Sequence, residues 1–148
     1  MGDSHEKLLL AQKNIAADVG NITAVSSIYS TAAWGNIDQA DFLNQVLMVE
    51  TNLTASKLLQ AVLAIEKNMG RVRTIKNAPR IIDIDILFFN NKIIQQKKLV
   101  IPHPEIQNRR FVLTPLAELS PNFVHPSLKK TIHQLLIECS DPLNVQKI

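Results

Sequence analysis

Apolar residues recur at helical spacing in two stretches of the chain. Asp3 and Glu6 have the spacing of a helix capping box, and the apolar stripe behind them predicts a first helix that ends near Gly20. Thr54 is placed to cap a second amphipathic helix, which we expect to stop at Gly70. The pattern therefore predicts two long helices in the first half of the chain.

Short runs rich in β-branched residues separate and follow these helices. They are predicted to form strands at 21–29, 42–51, 80–89, 93–94 and 99–101. The stretch 80–89 is the most β-prone of them, and Asn90-Asn91 behind it is typical of a hairpin turn. These runs predict a sheet built from short strands.

Prolines change the character of the C-terminal third. From Pro102 onward they separate short helical segments such as 111–119 and 131–139, which we expect to pack over the sheet. The order helix, strand, strand, helix, strand favours antiparallel pairing with helices on one face, an α+β fold. A length of 148 residues suits one domain covering 1–148.

Composition limits the class of protein and its partners. Hydrophobic residues make up 46% and charged residues 20%, as in globular proteins, and the net charge of +3 suits an anionic small ligand better than a nucleic acid. Cys139 is the only cysteine, which excludes an intramolecular disulfide and a cysteine-based zinc site. No apolar run approaches the roughly 20 residues that span a bilayer. We expect a cytoplasmic protein with small-molecule partners and neither nucleic acid nor membrane among them.

The strongest chemical signal lies inside the strand predicted at 80–89. Because strand side chains alternate, Asp83 and Asp85 should share one face while the neighbouring isoleucines occupy the other. Two adjacent carboxylates repel each other unless a cation neutralises them, and hard divalent cations prefer oxygen ligands. Magnesium is the natural candidate, because it takes one or two carboxylates together with waters and substrate phosphates.

Cationic side chains bracket the aspartate pair in the sequence. They are Arg71, Arg73, Arg80, His103, Arg109 and Arg110. Guanidinium groups bind phosphate oxygens bidentately and magnesium bridges such oxygens, so the set points to phosphoryl-group handling. The sequence has no Walker-type loop and no kinase glycine-rich loop, so side chains and metal would have to hold the phosphates.

The residues alone leave other interpretations open. Asp83 and Asp85 can line the solvent face of an edge strand without an ion, and each arginine can form an ordinary surface salt bridge. The aspartate pair by itself also permits a magnesium-dependent phosphohydrolase or nuclease. Phe42 and Phe111 can be ordinary core residues.

Longer motifs around the aspartates narrow these alternatives. They are Gly70-Arg71-Val72-Arg73, Pro79-Arg80-Ile81-Ile82-Asp83-Ile84-Asp85-Ile86-Leu87, Ile101-Pro102-His103-Pro104 and Asn108-Arg109-Arg110-Phe111. Together with a block from Ser26 to Thr51, these motifs resemble the 6-hydroxymethyl-7,8-dihydropterin pyrophosphokinase family. The similarity runs from the first predicted helix to about Pro126, which is most of the chain.

This resemblance implies a ferredoxin-like antiparallel sheet with helices packed on it. The family begins with an apolar strand, whereas this chain opens with Met1-Gly2-Asp3 and a predicted helix, so the N-terminal strand is missing from it. Inner backbone groups of the sheet would then lack partners. We therefore expect the natural protein to have a preceding strand.

The resemblance also implies which residues form the site. Asp83 and Asp85 would hold two magnesium ions that bridge the phosphates of ATP, with Arg71 and Arg80 also catalytic. ATP contacts would come from Arg71, Arg73, Arg80, Ile86, Lys98, His103 and Arg109. The pterin pocket would be formed by Thr31, Ala32, Trp34, Phe42, Asn44 and Phe111.

The implied reaction is a magnesium-dependent step in folate biosynthesis. Pyrophosphate passes from ATP to the hydroxymethyl group of the dihydropterin, and AMP is released. Two positions depart from the family pattern: Asn77 replaces a usual tryptophan, and Pro104 replaces a frequent aromatic residue, which would alter nucleotide binding. A catalytically inactive module that binds pterin or nucleotide is therefore a further alternative.

Overall fold

The computed structural model describes residues 2–31, 42–71 and 82–148 of the chain. In chain order its elements are α1 (Gly2–Asp18), β1 (Asn21–Val25), β2 (Tyr29–Thr31), β3 (Phe42–Asn44), β4 (Leu47–Glu50), α2 (Ala55–Arg71), β5 (Ile94–Gln95), β6 (Val100–Ile101), a 3₁₀ turn (Ile106–Asn108), α3 (Arg110–Leu119), α4 (Ile132–Glu138) and β7 (Val145–Lys147). Helices occur together with antiparallel strand pairs, so the α+β class is confirmed.

Contacts within the chain group these elements into two compact units. The first unit comprises Met1–Thr23 and Val49–Ile86, and the second comprises Ala24–Met48 and Leu87–Ile148. The single domain covering 1–148 stays a prediction, as do the ferredoxin-like arrangement and the strand preceding Met1.

The first unit is built on the packing of α1 against α2. Their buried apolar residues recur at intervals that place them on one face of each helix. These residues are Ala11, Ile15, Val19, Ala55, Val62, Ile65 and Met69. The two amphipathic stretches of the sequence are therefore confirmed as a packed pair of helices.

The ends of these helices follow the sequence signals. Ahead of α2, Thr54 Oγ1 accepts a hydrogen bond from the Lys57 N–H at 3.2 Å, which confirms the predicted cap. Behind α1, the N–H groups of Val19 and Gly20 both donate to the Ile15 carbonyl. The first helix thus ends where the glycine predicted it.

A close backbone approach explains why glycine stands at position 20. A Cβ built on Gly20 would overlap the carbonyl oxygen of Glu50. Next to this approach, Thr51 Oγ1 donates to the Val19 carbonyl at 2.6 Å and accepts from the Leu53 N–H at 3.1 Å. The position therefore needs the absence of a side chain.

The second unit combines a small antiparallel sheet with two short helices. Its sheet has the strand order β3-β2-β7, and α3 packs against all three strands and against α4. The buried core beneath them consists of Ile106, Leu113, Leu116, Ile132 and Leu135. Both helices lie where the proline-punctuated segments predicted them, and Thr131 Oγ1 caps α4 by accepting from the Gln134 N–H.

Within the described ranges, no helix is long and apolar enough to cross a bilayer.

A hydrogen bond between side chains ties α3 to β2. The Tyr29 hydroxyl donates to Glu118 Oε1 at 2.6 Å, and the Ser27 N–H and hydroxyl donate to the same carboxylate. Burial, followed by the Glu118 carboxylate, raises the pKa of Tyr29 to about 12. The hydrogen bond from Tyr29 is the main cause that holds the pKa of Glu118 below its ordinary value.

The sequence placed the turn after residue 89 correctly but not the strand before it. Asn90 has a left-handed φ of 53°, and the Lys92 N–H donates to the Phe89 carbonyl, as in a tight turn. Residues 82–89, the described part of the predicted strand, are not assigned to a strand. The short strands predicted at 93–94 and 99–101 are confirmed as β5 and β6, which pair with Ile94 opposite Ile101.

Gly20→Ala should lower the free energy of unfolding by about 1–3 kcal/mol, because the added methyl group meets the backbone of Glu50. Gly70→Ala is the matched control: a Cβ there meets nothing within 4 Å, and we expect a gain of about 0.5–1 kcal/mol in the helix. Urea denaturation of both variants tests this, and equal stability in the two would contradict the close approach.

The single tyrosine makes the Tyr29–Glu118 contact measurable by ultraviolet titration. The tyrosinate absorbance should rise with a midpoint near 12, against about 10 for a free tyrosine. The Tyr29 contribution to stability is present below pH 10 and should fade as the pH rises through about 12, whereas that of Glu118 should fade below about pH 4.5.

Glu118→Gln should lower the midpoint of the tyrosine titration. Glu138→Gln is the control, since Glu138 is exposed and pairs with Lys130. A midpoint near 10 in the unsubstituted protein would show that the contact is not formed.

Candidate active site

The segment 82–88 presents the two aspartates on its exposed side. Asp83 and Asp85 are exposed, whereas Ile82, Ile84 and Ile86 are partly buried. The alternation expected of an extended chain is therefore present, although the segment is not assigned to a strand. It places both carboxylates on the side opposite the isoleucines.

A glutamate on α2 holds this segment between the two aspartates. Glu66 Oε2 accepts a hydrogen bond from the Ile84 N–H at 2.7 Å, and a carboxylate acceptor makes such a bond stronger than a neutral one. The sequence motifs assigned no role to Glu66. The feature that could have indicated one is an acidic residue directly after the buried Ile65, on the apolar side of an amphipathic helix.

The aspartate pair has the chemistry that magnesium requires. Carboxylate oxygens are hard ligands, and one or two of them suffice when water and phosphate oxygens complete the coordination. Within the described ranges, no group of three or more His, Cys, Asp or Glu side chains is arranged to hold a metal ion. The oxygen atoms of Asp83 and Asp85 are therefore ligands of the kind that magnesium takes when water and phosphate oxygens supply the rest.

His103 has one defined tautomer in its neutral form. Its Nδ1 accepts a hydrogen bond from the Glu105 N–H at 3.1 Å, so the ring proton must sit on Nε2. Its backbone N–H donates to the Leu87 carbonyl at 2.9 Å. The imidazole therefore has an N–H available to an acceptor such as a phosphate oxygen.

His103 lines a cleft of about 180 Å³ in the second unit. Apolar residues form much of its wall, including Ile93, Val100 and Pro102. Pro104 also lines it. A larger hollow of about 510 Å³ in the first unit contains none of the predicted site residues.

Three predicted pterin residues share one face of the second unit's sheet. Thr31 lies opposite Phe42, and Tyr29 lies opposite Asn44, in antiparallel register. Directly opposed and alternate residues project to the same face. Because the Tyr29 hydroxyl reaches Glu118 on α3, this face is the one on which α3 packs.

The hydroxyl of Thr31 is buried without a hydrogen-bond partner. The residue is 3% exposed, and its Oγ1 makes no hydrogen bond in the described part of the chain. A buried polar atom of this kind costs free energy unless a ligand or water satisfies it. By contrast, Phe42 opposite it is 58% exposed, which is unusual for a large aromatic side chain.

Arg109 and Phe111 lie side by side at the start of α3. The guanidinium carbon of Arg109 lies 5.8 Å from the centre of the Phe111 ring, within the range of a cation–π contact. Arg110 lies between these two residues in the sequence, but its guanidinium donates hydrogen bonds to the backbone carbonyls of Cys139 and Asp141. Of the two adjacent arginines, Arg109 is therefore the better candidate for a ligand contact.

The remaining predicted residues divide between the two units and the undescribed segments. Ile86 adjoins Asp85 in the first unit, and Lys98 is exposed in the turn between β5 and β6 of the second. The residues that lie outside the described ranges are Ala32, Trp34, Arg73, Asn77 and Arg80. The side chain of Arg71 also lies outside the described part of the chain.

Comparison with known proteins agrees with the motifs. The model of the family 7,8-dihydro-6-hydroxymethylpterin-pyrophosphokinase (HPPK) matches residues 1–121. A 2-amino-4-hydroxy-6-hydroxymethyldihydropteridine pyrophosphokinase of Methylorubrum extorquens is 37% identical over 149 residues, covering 100% of this chain and 92% of that protein.

Two further relatives are longer than the segment they share with this chain. The protein of the same name from Synechocystis is 42% identical over 117 residues, which cover 78% of this chain and 60% of that protein. The folic acid synthesis protein FOL1 of Dictyostelium discoideum is 36% identical over 148 residues, which cover 100% of this chain and 22% of that protein. This chain thus spans less than two thirds of either relative.

The family match includes the aspartate pair, His103 and the Arg109-Arg110-Phe111 motif. The relative from Methylorubrum extorquens extends the similarity over the whole chain. This chain belongs to the 7,8-dihydro-6-hydroxymethylpterin-pyrophosphokinase family.

Proposed function

We propose that this chain transfers pyrophosphate from ATP to the hydroxymethyl group of 6-hydroxymethyl-7,8-dihydropterin. The hydroxymethyl oxygen attacks the β-phosphorus of ATP, and the bond from that phosphorus to the oxygen bridging the α- and β-phosphates breaks. AMP leaves with the bridging oxygen, and the hydroxyl proton passes to water. The product is the pterin diphosphate, an intermediate of folate biosynthesis.

The exposed pair formed by Asp83 and Asp85 carries this proposal. In a chain of this family, two adjacent carboxylates on one side of a held segment supply the negative ligand set that a magnesium–nucleotide complex needs. The proposal includes two magnesium ions at this pair and a ferredoxin-like arrangement of the sheet. When bound, magnesium neutralises phosphate charge and fixes the orientation of the phosphate oxygens.

His103 and the arginines donate hydrogen bonds to the phosphates of ATP in this proposal. The Nε2–H of His103 donates to a phosphate oxygen, since its Nδ1 is already occupied by the Glu105 N–H. The guanidinium of Arg109 adds a positive charge next to Phe111. Arg71, Arg73 and Arg80 are further phosphate ligands on the strength of the family motif.

The nucleoside of ATP is assigned to the second unit. The apolar wall of the cleft beside His103 offers a surface for a flat base, with Lys98 in the neighbouring turn. Ile86, next to Asp85 in the first unit, is a further ATP contact on the strength of the family motif. The phosphate-binding and base-binding residues of the proposal are thus different side chains.

The pterin is assigned to the sheet face shared by Thr31, Phe42 and Asn44. Phe42 and Phe111 would stack on the flat ring system, while the Asn44 amide offers both a donor and an acceptor to its edge. The buried hydroxyl of Thr31, which has no partner in the described structure, would be satisfied by a polar atom of the ring. Ala32 and Trp34 complete the pocket in the proposal.

Asp83→Asn and Asp85→Asn should each lower the pterin-dependent release of AMP by on the order of 100-fold or more, because each removes one charge from the metal site. Both side chains are exposed, so each variant should stay folded, which urea denaturation checks. Glu138→Gln, on the exposed surface of α4, is the control and should keep full activity.

The same assay separates the proposal from its alternatives. AMP should form from ATP when the pterin is present, and chelation of magnesium should stop it. Phosphate release without pterin would indicate a phosphohydrolase, and ATP binding without turnover would indicate an inactive binding module. Full activity in either aspartate variant would exclude the proposed metal site.

Thr31→Val should raise the KM for the pterin several-fold while raising stability by about 1 kcal/mol, because it removes a buried hydroxyl that has no partner. The KM for ATP should stay unchanged. Steady-state kinetics and urea denaturation measure both effects.

Thr51→Val provides the matched contrast, because the hydroxyl of Thr51 makes two hydrogen bonds. That variant should lose about 1–2 kcal/mol and keep its pterin KM. A stability loss in Thr31→Val with an unchanged pterin KM would place Thr31 outside the pocket.

A further inference from the structure

The C-terminal segment 139–148 is hydrogen-bonded to the start of α3. The Asp141 carboxylate accepts a hydrogen bond from the Arg110 N–H at 3.0 Å. In the opposite direction, the Arg110 guanidinium donates to the Asp141 carbonyl at 3.1 Å and to the Cys139 carbonyl at 2.8 Å. Three hydrogen bonds therefore join one residue of α3 to this segment.

Asp141 caps the N-terminus of α3 in place of a side chain at the N-cap position. Arg109 occupies the N-cap position and makes no side-chain hydrogen bond to the helix. The carboxylate of Asp141 instead satisfies the first amide of α3, where the partial positive charge of the helix favours an anion. The Leu143 N–H donates to the other carboxylate oxygen at 3.0 Å, which fixes the orientation of the cap.

The same segment also supports the sheet that carries the proposed pterin residues. Its strand β7 pairs with β2, placing Val145 opposite Thr31 and Lys147 opposite Tyr29. The Ile148 N–H continues this pairing by donating to the Ile28 carbonyl. The segment thus contacts both α3 and β2, although it lies beyond the residues 1–121 that the family model matches.

We propose that Asp141 is a positioning residue for the substrate site. By holding Arg110, it fixes its two neighbours, Arg109 and Phe111, which the proposed function assigns to ATP and to the pterin. The inference rests on that function, because the cap matters for catalysis only if these neighbours bind the substrates. In physical terms, the Asp141 carboxylate, 31 residues after Arg110 in the sequence, holds the first residue of α3 in place.

Asp141→Ala should raise the KM for the pterin and for ATP by roughly threefold to tenfold, the effect of losing about one hydrogen bond. A purely structural role predicts a different result. Loss of folded protein would lower kcat in proportion and leave both KM values unchanged. A KM unchanged in this variant, with or without a lower kcat, would therefore overturn the proposal.

Two further variants keep the test decisive. Glu138→Ala removes an exposed ion pair in which Lys130 Nζ lies 2.6 Å from the carboxylate of Glu138, the last residue of α4. This control variant should keep wild-type KM values. Asp141→Asn retains one acceptor oxygen for the two amides that Asp141 binds, so its KM should fall between wild type and Asp141→Ala. If Asp141→Ala does not fold, a wild-type KM in Asp141→Asn would overturn the proposal.

Amide hydrogen exchange of Arg110 provides a measurement that does not depend on activity. In Asp141→Ala this amide should lose protection, with chemical-shift changes at Arg109 and Phe111, while amides of the first unit stay unchanged. Unchanged protection would refute the positioning role even if the enzyme were inactive. If protection is lost as expected and the unsubstituted protein releases no AMP, the proposed function fails rather than the contact.

Discussion

The alternation of partly buried isoleucines and exposed aspartates in segment 82–86 is the constraint on which the proposed chemistry depends. Two carboxylates placed side by side repel each other, and the partly buried isoleucines together with the hydrogen bond from the Ile84 N–H to Glu66 hold the segment that carries them. In the proposed site, a bound divalent cation would offset this repulsion. The local fold thus places both carboxylates on one exposed side of the segment.

Polar contacts between distant parts of the chain hold the elements of the second unit together. Tyr29 and Glu118 join β2 to α3, and Arg110 and Asp141 join α3 to the C-terminal segment. Each contact links an element that carries a proposed ligand residue to another part of the same unit. The unsatisfied hydroxyl of Thr31 lies within this framework, and such a buried group is typical of a binding site that is completed by its ligand.

Local signals in the sequence were sufficient for the helices and for the exposure of the aspartates. Thr54 caps its helix as expected, and Thr131 caps α4 in the same way, because capping depends on neighbouring residues alone. Strand pairing depends on distant partners, and there the predictions were less accurate. Thus 82–88 is not assigned to a strand, whereas the short strands predicted at 93–94 and 99–101 are confirmed as β5 and β6. Likewise, Arg109 and Arg110 look equivalent in sequence, and only the contacts of Arg110 with residues 139 and 141 separate them.

Binding of an ATP analogue with a methylene group between the α- and β-phosphates tests the central claim most directly, because that group blocks the bond that the reaction breaks. Calorimetric titration of the protein with this analogue should show binding that requires magnesium and that is lost when Asp83 and Asp85 are both replaced by asparagine. Equal affinity with and without magnesium, or an unchanged affinity in the doubly substituted protein, would contradict the account.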